Sequence, residues 1–170
     1  MQGTRVVPGP LNYVSVRTLS GFEDTINCLQ FNGDASCLAI GSDSGLFVVA
    51  HTGVIDDPVM EFRAPNGSAV TALLWNPADP ESIFIGYSDG TVLICQVPLV
   101  QSAVSAIPNC SERSRYEPSL QPRKDMIRLE FGLRGPVQAF TYMVSTSTLA
   151  VIIGSHVVCS QDISGGKISS

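Results

Sequence analysis

The stretch Gly41-Ser42-Asp43-Ser44-Gly45 holds the residue types of a nucleophile turn, with a serine beside an aspartate between two glycines. A G-x-S-x-G elbow exposes its serine on a sharp strand-to-helix turn, and that pattern needs serine at the central position, where this chain has Asp43. The Gly-Asp-Ser-Gly alternative is broken because Ser42 precedes Asp43. A serine also needs a base to take its proton. The only histidines are His51 and His156, each at the end or the start of an apolar stretch.

Other chemical motifs are incomplete in the same way. Gly165-Gly166-Lys167 resembles a phosphate loop, but Ile168 follows the lysine where a metal-binding Ser or Thr is required. Cys28, Cys37, Cys95, Cys110 and Cys159 are scattered, with no C-x-x-C pair, so neither a zinc knuckle nor a redox pair is indicated. Two histidines without Cys or carboxylate at ligand spacing make no metal site. The acidic pairs Glu23-Asp24 and Asp56-Asp57 fall in loop-like segments and read as solvated ends. The expectation is a chain with no catalytic residue, no cofactor and no metal.

Composition narrows the remaining classes. Only 15% of the 170 residues are charged, against a usual ~25%. A helical protein covers its exposed faces with Glu and Lys; this chain instead fits short, mostly buried strands with Ser, Thr and Gly turns. A net charge of -5 argues against binding nucleic acid through a broad basic field. Arg113, Arg115, Arg123 and Lys124 cluster in a Ser- and Pro-rich stretch that reads as a solvated loop. No stretch reaches the ~18 apolar residues of a membrane span, and the start lacks a secretory signal pattern. These features predict a cytoplasmic or nuclear protein with reduced thiols.

The elements that would position any functional residue come from a repeat. Residues 25–53 lie over 69–98: Ile26 falls on Val70, Leu29 on Leu73, Phe31 on Trp75, Asn32 on Asn76, then Gly41 on Gly86 and Gly45 on Gly90. The period is 44 to 45 residues. A weaker copy runs over 135–162, with Val137, Phe140 and Tyr142 matching Val70, Leu73 and Trp75. Each copy reads as three short strands, with candidate fourth strands at 59–63 and 126–131. Gly-Ser-Asp-Ser-Gly recurs as Gly-Tyr-Ser-Asp-Gly between the same two apolar strands, which makes Ser44 a hairpin-turn residue. The segment 13–19 alternates like the last strand of an earlier unit, whereas 98–125 turns to Ser, Pro, Gln and Arg and reads as a long inserted loop.

Four strands at this period are the signature of a propeller blade. On "LSGFEDTINCLQFNGDASCLAIGSDSGLFVVA" and "AVTALLWNPADPESIFIGYSDGTVLICQV", and on the weaker "GPVQAFTYMVSTSTLAVIIGSHVVC", the chain resembles the WD-repeat β-propeller family, with degenerate repeats. Gly21-Phe22 stands where the family often has Gly-His, and Ala50-His51 and Cys95-Gln96 stand where it often has Trp-Asp. The resemblance implies an all-β, propeller-like fold of about three four-stranded antiparallel blades in an incomplete ring. On this reading 1–170 is a single partial propeller: leading strand and blade one over 12–63, blade two over 69–131 with its insertion at 98–125, blade three over 135–162, and a flexible tail over 163–170.

The resemblance also implies a function. It points to a non-enzymatic scaffold that presents its loops to a protein or peptide partner, on the end carrying Phe22, Glu23, Asp24, Asp43, Ser44, Asn66, Ser88 and Asp89. A phosphoinositide-binding propeller is the alternative, but its Phe-Arg-Arg-Gly motif is represented only by Phe62-Arg63-Ala64-Pro65. A truncated fragment without independent function is another. Closed rings need ~4–8 blades, so exposed flanks predict self-association or completion by missing blades.

Overall fold

The computed structural model describes residues 22, 24–52, 58–64, 66–98 and 126–161. The expected leading strand at 13–19, residues 99–125 of the expected insertion and the tail at 163–170 lie outside the described residues.

Alternation of apolar and polar residues over six-residue runs, punctuated by Asn, Asp and Gly, produces strands rather than helices. Blade one is a four-stranded antiparallel sheet in the order β1 (Ile26–Phe31), β2 (Cys37–Ser42), β3 (Leu46–His51) and β4 (Pro58–Arg63). Blade two repeats it with β5 (Val70–Trp75), β6 (Ser82–Tyr87), β7 (Val92–Gln96) and β8 (Met126–Leu129). Blade three contains β9 (Val137–Met143), β10 (Thr148–Ile153) and β11 (His156–Gln161), a three-stranded sheet among the described residues. One short 3-10 turn, Val144–Thr146, is the helical content of the described residues. The first strands of the blades lie side by side, β1 against β5 and β5 against β9, so the sheets fan outward from these inner strands. The fold is therefore all-β and propeller-like, with a ring that is not closed.

Two apolar seams hold the arc together. In the first, Phe47, Val49, Met60 and Phe62 of blade one pack against Trp75, Ile83, Ile85 and Tyr87 of blade two. In the second, Phe84, Val92, Ile94 and Leu129 pack against Val137, Leu149, Val151 and Ile153 of blade three. Blade two is covered on both faces, and all six residues of β6 are buried. Its unbroken apolar run, SIFIGY, is what burial on both faces requires.

Each inner strand carries an irregularity one residue from its start, and three unrelated side chains occupy it. The register shifts fall between Ile26 and Cys28, Val70 and Ala72, and opposite Val137 and Ala139, so the bulged residues are Asn27, Thr71 and Gln138. Asn27 Nδ2 donates to the carbonyl of Val70 at 3.2 Å, and Thr71 Oγ1 to the carbonyl of Val137 at 2.6 Å. The bulge thereby aims a donor across the seam at the next inner strand. The same valines press on a glycine: a Cβ at Gly41 would stand 2.3 Å from Val70 Cγ1, and one at Gly86 would stand 2.4 Å from Val137 Cγ1. Only glycine allows that approach.

Candidate functional site

The candidate face is assembled from the turns between second and third strands and from the connections that lead into first strands. Its backbone frame is repeated three times. Asp43 N donates to Thr25 O, Ser88 N to Ala69 O and Gly154 N to Pro136 O, each at 2.9 Å, so the end of every second strand is tied to the entry of its first strand. Gly45 (φ +79°) and Gly90 (φ +91°) complete the turns of blades one and two in the left-handed region that glycine favours.

Side chains then cross-link these connections. Arg63, at the end of β4, hydrogen-bonds Ser44 Oγ and lies 3.8 Å from the Asp24 carboxylate. Asn27 Nδ2 reaches Asp43 Oδ1 at 3.3 Å. In the next connection Asn66 donates to Asp89 Oδ2, Asn66 Oδ1 accepts from Ser68 N at 3.3 Å, and Ser88 Oγ accepts from Ala69 N at 3.1 Å. Burial pushes the Asp89 carboxyl up, but hydrogen bonds from Thr91, Asn66 and Ser68 outweigh it and leave its pKa below the usual value. Asp89 is therefore an anion at neutral pH with its position fixed.

Of the residues expected on this face, Asp24, Asp43 and Ser44 are brought into one cluster, and Asn66, Ser88 and Asp89 into a second. Phe22 is half-buried, and Glu23 lies outside the described residues. Arg63 and Asn27 organise the first cluster and were not among the expected face residues. The sequence shows them only as the last residue of a fourth strand and a polar residue of a first strand, and nothing in that pattern says that they meet this face. Beside Asp89, an open hollow of ≈ 340 Å³ is bordered by Arg128, Glu130 and Arg134, with Arg128 Nε 3.5 Å from Glu130.

The geometry assigns Ser44 to the turn. Its oxygen is engaged by Arg63 and lies 3.2 Å from Ser42 Oγ, and neither partner is a base. His51 Nδ1 instead lies 3.4 Å from Cys37 Sγ, at the far end of β3. Cys37 is fully buried, and desolvation raises its pKa, so it persists as a thiol rather than a nucleophilic thiolate. Among the described residues no group of three or more His, Cys, Asp or Glu is placed to hold a metal ion, and no helix is long and apolar enough to cross a membrane.

Comparison with known proteins agrees with this architecture. Residues 13–49 match the family model described as WD domain, G-beta repeat. No curated protein matches the sequence. Among solved structures, a chain in the "Crystal Structure of Mitotic Checkpoint Complex" superposes with a TM-score of 0.63 at 14% identity, over 88% of this chain and 39% of that chain. This chain thus spans well under half the length of the solved chain it resembles, and the likeness at that identity is one of fold. By its fold the chain is a propeller whose described blades form an open arc, and within it residues 13–49 match a WD repeat.

Proposed function

We propose that the chain is a non-enzymatic scaffold that docks a protein or peptide partner on the face formed by Asp24, Asp43, Ser44, Asn66, Ser88 and Asp89. The observation that carries this reading is the cross-linking of that face. Its polar groups are held by bonds between separate connections, so a partner meets a surface whose ordering cost has already been met within the fold. Propellers of this type generally mediate protein–protein contact, and the solved neighbour belongs, by its title, to a complex. Around Arg63 the carboxylates of Asp24 and Asp43 outnumber the cation, whereas Asp89 and Glu130 stand beside Arg128 and Arg134, so the blade-one end of the face favours a partner segment bearing Lys or Arg. The phosphoinositide alternative asks for two cations near Phe62; Arg63 alone stands there, already engaged with Asp24 and Ser44.

The test is a selection from a display library of short basic peptides against the full chain. Asp43→Lys and Asp89→Lys should each weaken a selected peptide by about ten-fold or more, roughly 1.4 kcal/mol. Glu81→Lys, exposed at the opposite end, should leave it unchanged. Equal losses at both ends, or displacement of the peptide by phosphoinositide vesicles, would refute the assignment.

A further inference from the structure

Two Asn-Gly dipeptides occur in the chain, Asn32-Gly33 and Asn66-Gly67. Such a pair carries its own chemistry. The backbone nitrogen after the asparagine can close a five-membered ring on the side-chain carbonyl carbon, Cγ, and a glycine leaves that approach uncrowded. A Cβ built at Gly33 or at Gly67 would meet nothing within 4 Å, so neither site is shielded by the rest of the fold. The dipeptide alone ranks the two sites equally. The fold does not.

Asn32 is 6% exposed, and all four of its polar groups are held. Its backbone N donates to Cys37 O at 3.0 Å, and its O accepts from Ala35 N at 3.0 Å. Its Oδ1 accepts from Cys37 N at 2.9 Å, and its Nδ2 donates to Ser36 Oγ at 3.0 Å. Turning its Cγ toward Gly33 N requires opening the hairpin of β1 and β2 beside the fully buried Cys37. Asn76, the counterpart of Asn32 in blade two, is followed by Pro77, whose nitrogen has no hydrogen to lose. Asn66 and Gly67 are exposed and lie between β4 and β5, outside any strand. There Gly67 N gives up a turn hydrogen bond to Ala64 O, 3.0 Å long, and exposed turns open at far lower cost than paired strands. Ser68 N already donates to Asn66 Oδ1 at 3.3 Å, where the negative charge of the addition step collects.

We propose that Asn66 is a site of spontaneous amide loss, and that the acid it becomes releases the blade-two turn it now holds. Gly67 N loses its proton to hydroxide and bonds to Asn66 Cγ; the Cγ–Nδ2 bond breaks, and ammonia leaves with a proton taken from water. A cyclic imide remains. Water then adds to either imide carbonyl. Opening at one gives aspartate, and opening at the other gives isoaspartate, whose main chain runs through the former side chain. Either product sets a carboxylate where Nδ2 now donates to Asp89 Oδ2, so two like charges face each other. Asp89 loses the donor that ties it to the connection, and the turn it braces through Thr91 N at 2.9 Å loosens with it.

Incubation of the full chain at mildly alkaline pH, followed by digestion and mass spectrometry, tests the proposal. Asn66 should convert about ten-fold or more faster than Asn32, the ratio being set by the unequal cost of local opening. Aspartate and isoaspartate should both form, with one heavy oxygen taken up per event in heavy-oxygen water. In denaturant the two rates should converge, because the fold alone separates them. Retention of the Asn66 amide, or the same ratio in folded and unfolded chains, would overturn the proposal. Hydrogen exchange then reads the release by comparing the parent chain with Asn66→Asp. The amides of Gly90 and Thr91 should exchange several-fold faster while those of β6 stay unchanged. Unaltered exchange at Gly90 and Thr91, or a loss of protection through β6 as well, would overturn the released turn. Neither readout involves a partner, so this proposal and the docking assignment stand or fall separately.

Discussion

The two internal seams join corresponding strands and are sealed by different means. The seam between blades one and two relies on directional bonds. Trp75 donates its indole N–H to Gln30 O at 3.1 Å, and its backbone N–H to Gln30 Oε1 at 3.0 Å. Cys28 and Cys95 line the same seam, Cys95 with its thiol 3.5 Å from Met60 Sδ. Burial pushes the Cys28 thiol up to about 11, so it contributes as a small apolar group. The seam between blades two and three relies on shape. Phe84 lies 6.2 Å from Phe140 and 6.0 Å from Tyr142 between ring centroids, over a floor of Val, Leu and Ile. A shared backbone joint therefore fixes where blades meet, and the chemistry of the seal is free to vary.

Four substitutions probe that difference, each read as a denaturation midpoint at fixed chain concentration. Phe84→Ala should be the most damaging, at about 3–5 kcal/mol, because a fully buried ring leaves a cavity in a seam held by packing. A loss below about 1 kcal/mol would show that the second seam is not sealed by shape. Gly41→Ala should cost about 1–3 kcal/mol through overpacking against Val70. Adding Val70→Ala should recover part of that loss, since the two side chains compete for one space; strict additivity would contradict the glycine–valine contact. Trp75→Phe removes the indole donor together with one ring of a buried bicycle, for about 1–2 kcal/mol. An equal effect of Tyr142→Phe in the second seam would erase the contrast between bonded and shaped seals. Tyr87→Phe is the smallest: the Tyr87 hydroxyl is buried in the first seam without a hydrogen-bond partner. Deleting an unsatisfied polar atom should leave stability unchanged or slightly raised, and a clear loss would reveal a partner for that oxygen.

The strands and the repeat were legible because burial writes them into the sequence. The repeat copies at 25–53, 69–98 and 135–162 begin one or two residues before β1, β5 and β9, and the continuous apolar runs CLAIG and SIFIG lie in β2 and β6. Trp75, aligned by the repeat with the aromatic Phe31 and Tyr142, is a buried residue of an inner strand. The bulges were not legible. Asn27, Thr71 and Gln138 share only the ability to donate a hydrogen bond, and no pattern of residue types marks them as one position. The same irregularity conceals that Ile152 pairs with Ala139 where Gly41 and Gly86 pair with Cys28 and Ala72: the nearest glycine in the third copy, Gly154, lies beyond the end of β10 and serves the hairpin turn at φ +59°. The turns carrying Asp43, Ser44, Ser88 and Asp89 could be placed at one end from the repeat alone. That Arg63 would tie one turn to Asp24 depends on how the end of β4 sits beside the entry to β1 across the end of blade one, which alternation along the sequence does not encode.

The complete burial of β6 has a consequence for how the chain is made. Synthesis runs from the N-terminus, and domains form as their segments emerge. When residues 82–87 leave the ribosome, blade one is already available to cover Ile83 and Ile85. Phe84, on the opposite side of the same strand, waits for Val137, Leu149 and Val151, more than fifty residues downstream. In that interval an uncharged six-residue strand with one apolar side open is the segment a nascent chain most needs to keep from pairing with its neighbours. The middle blade, the best protected part of the finished fold, is the most exposed part of the unfinished one.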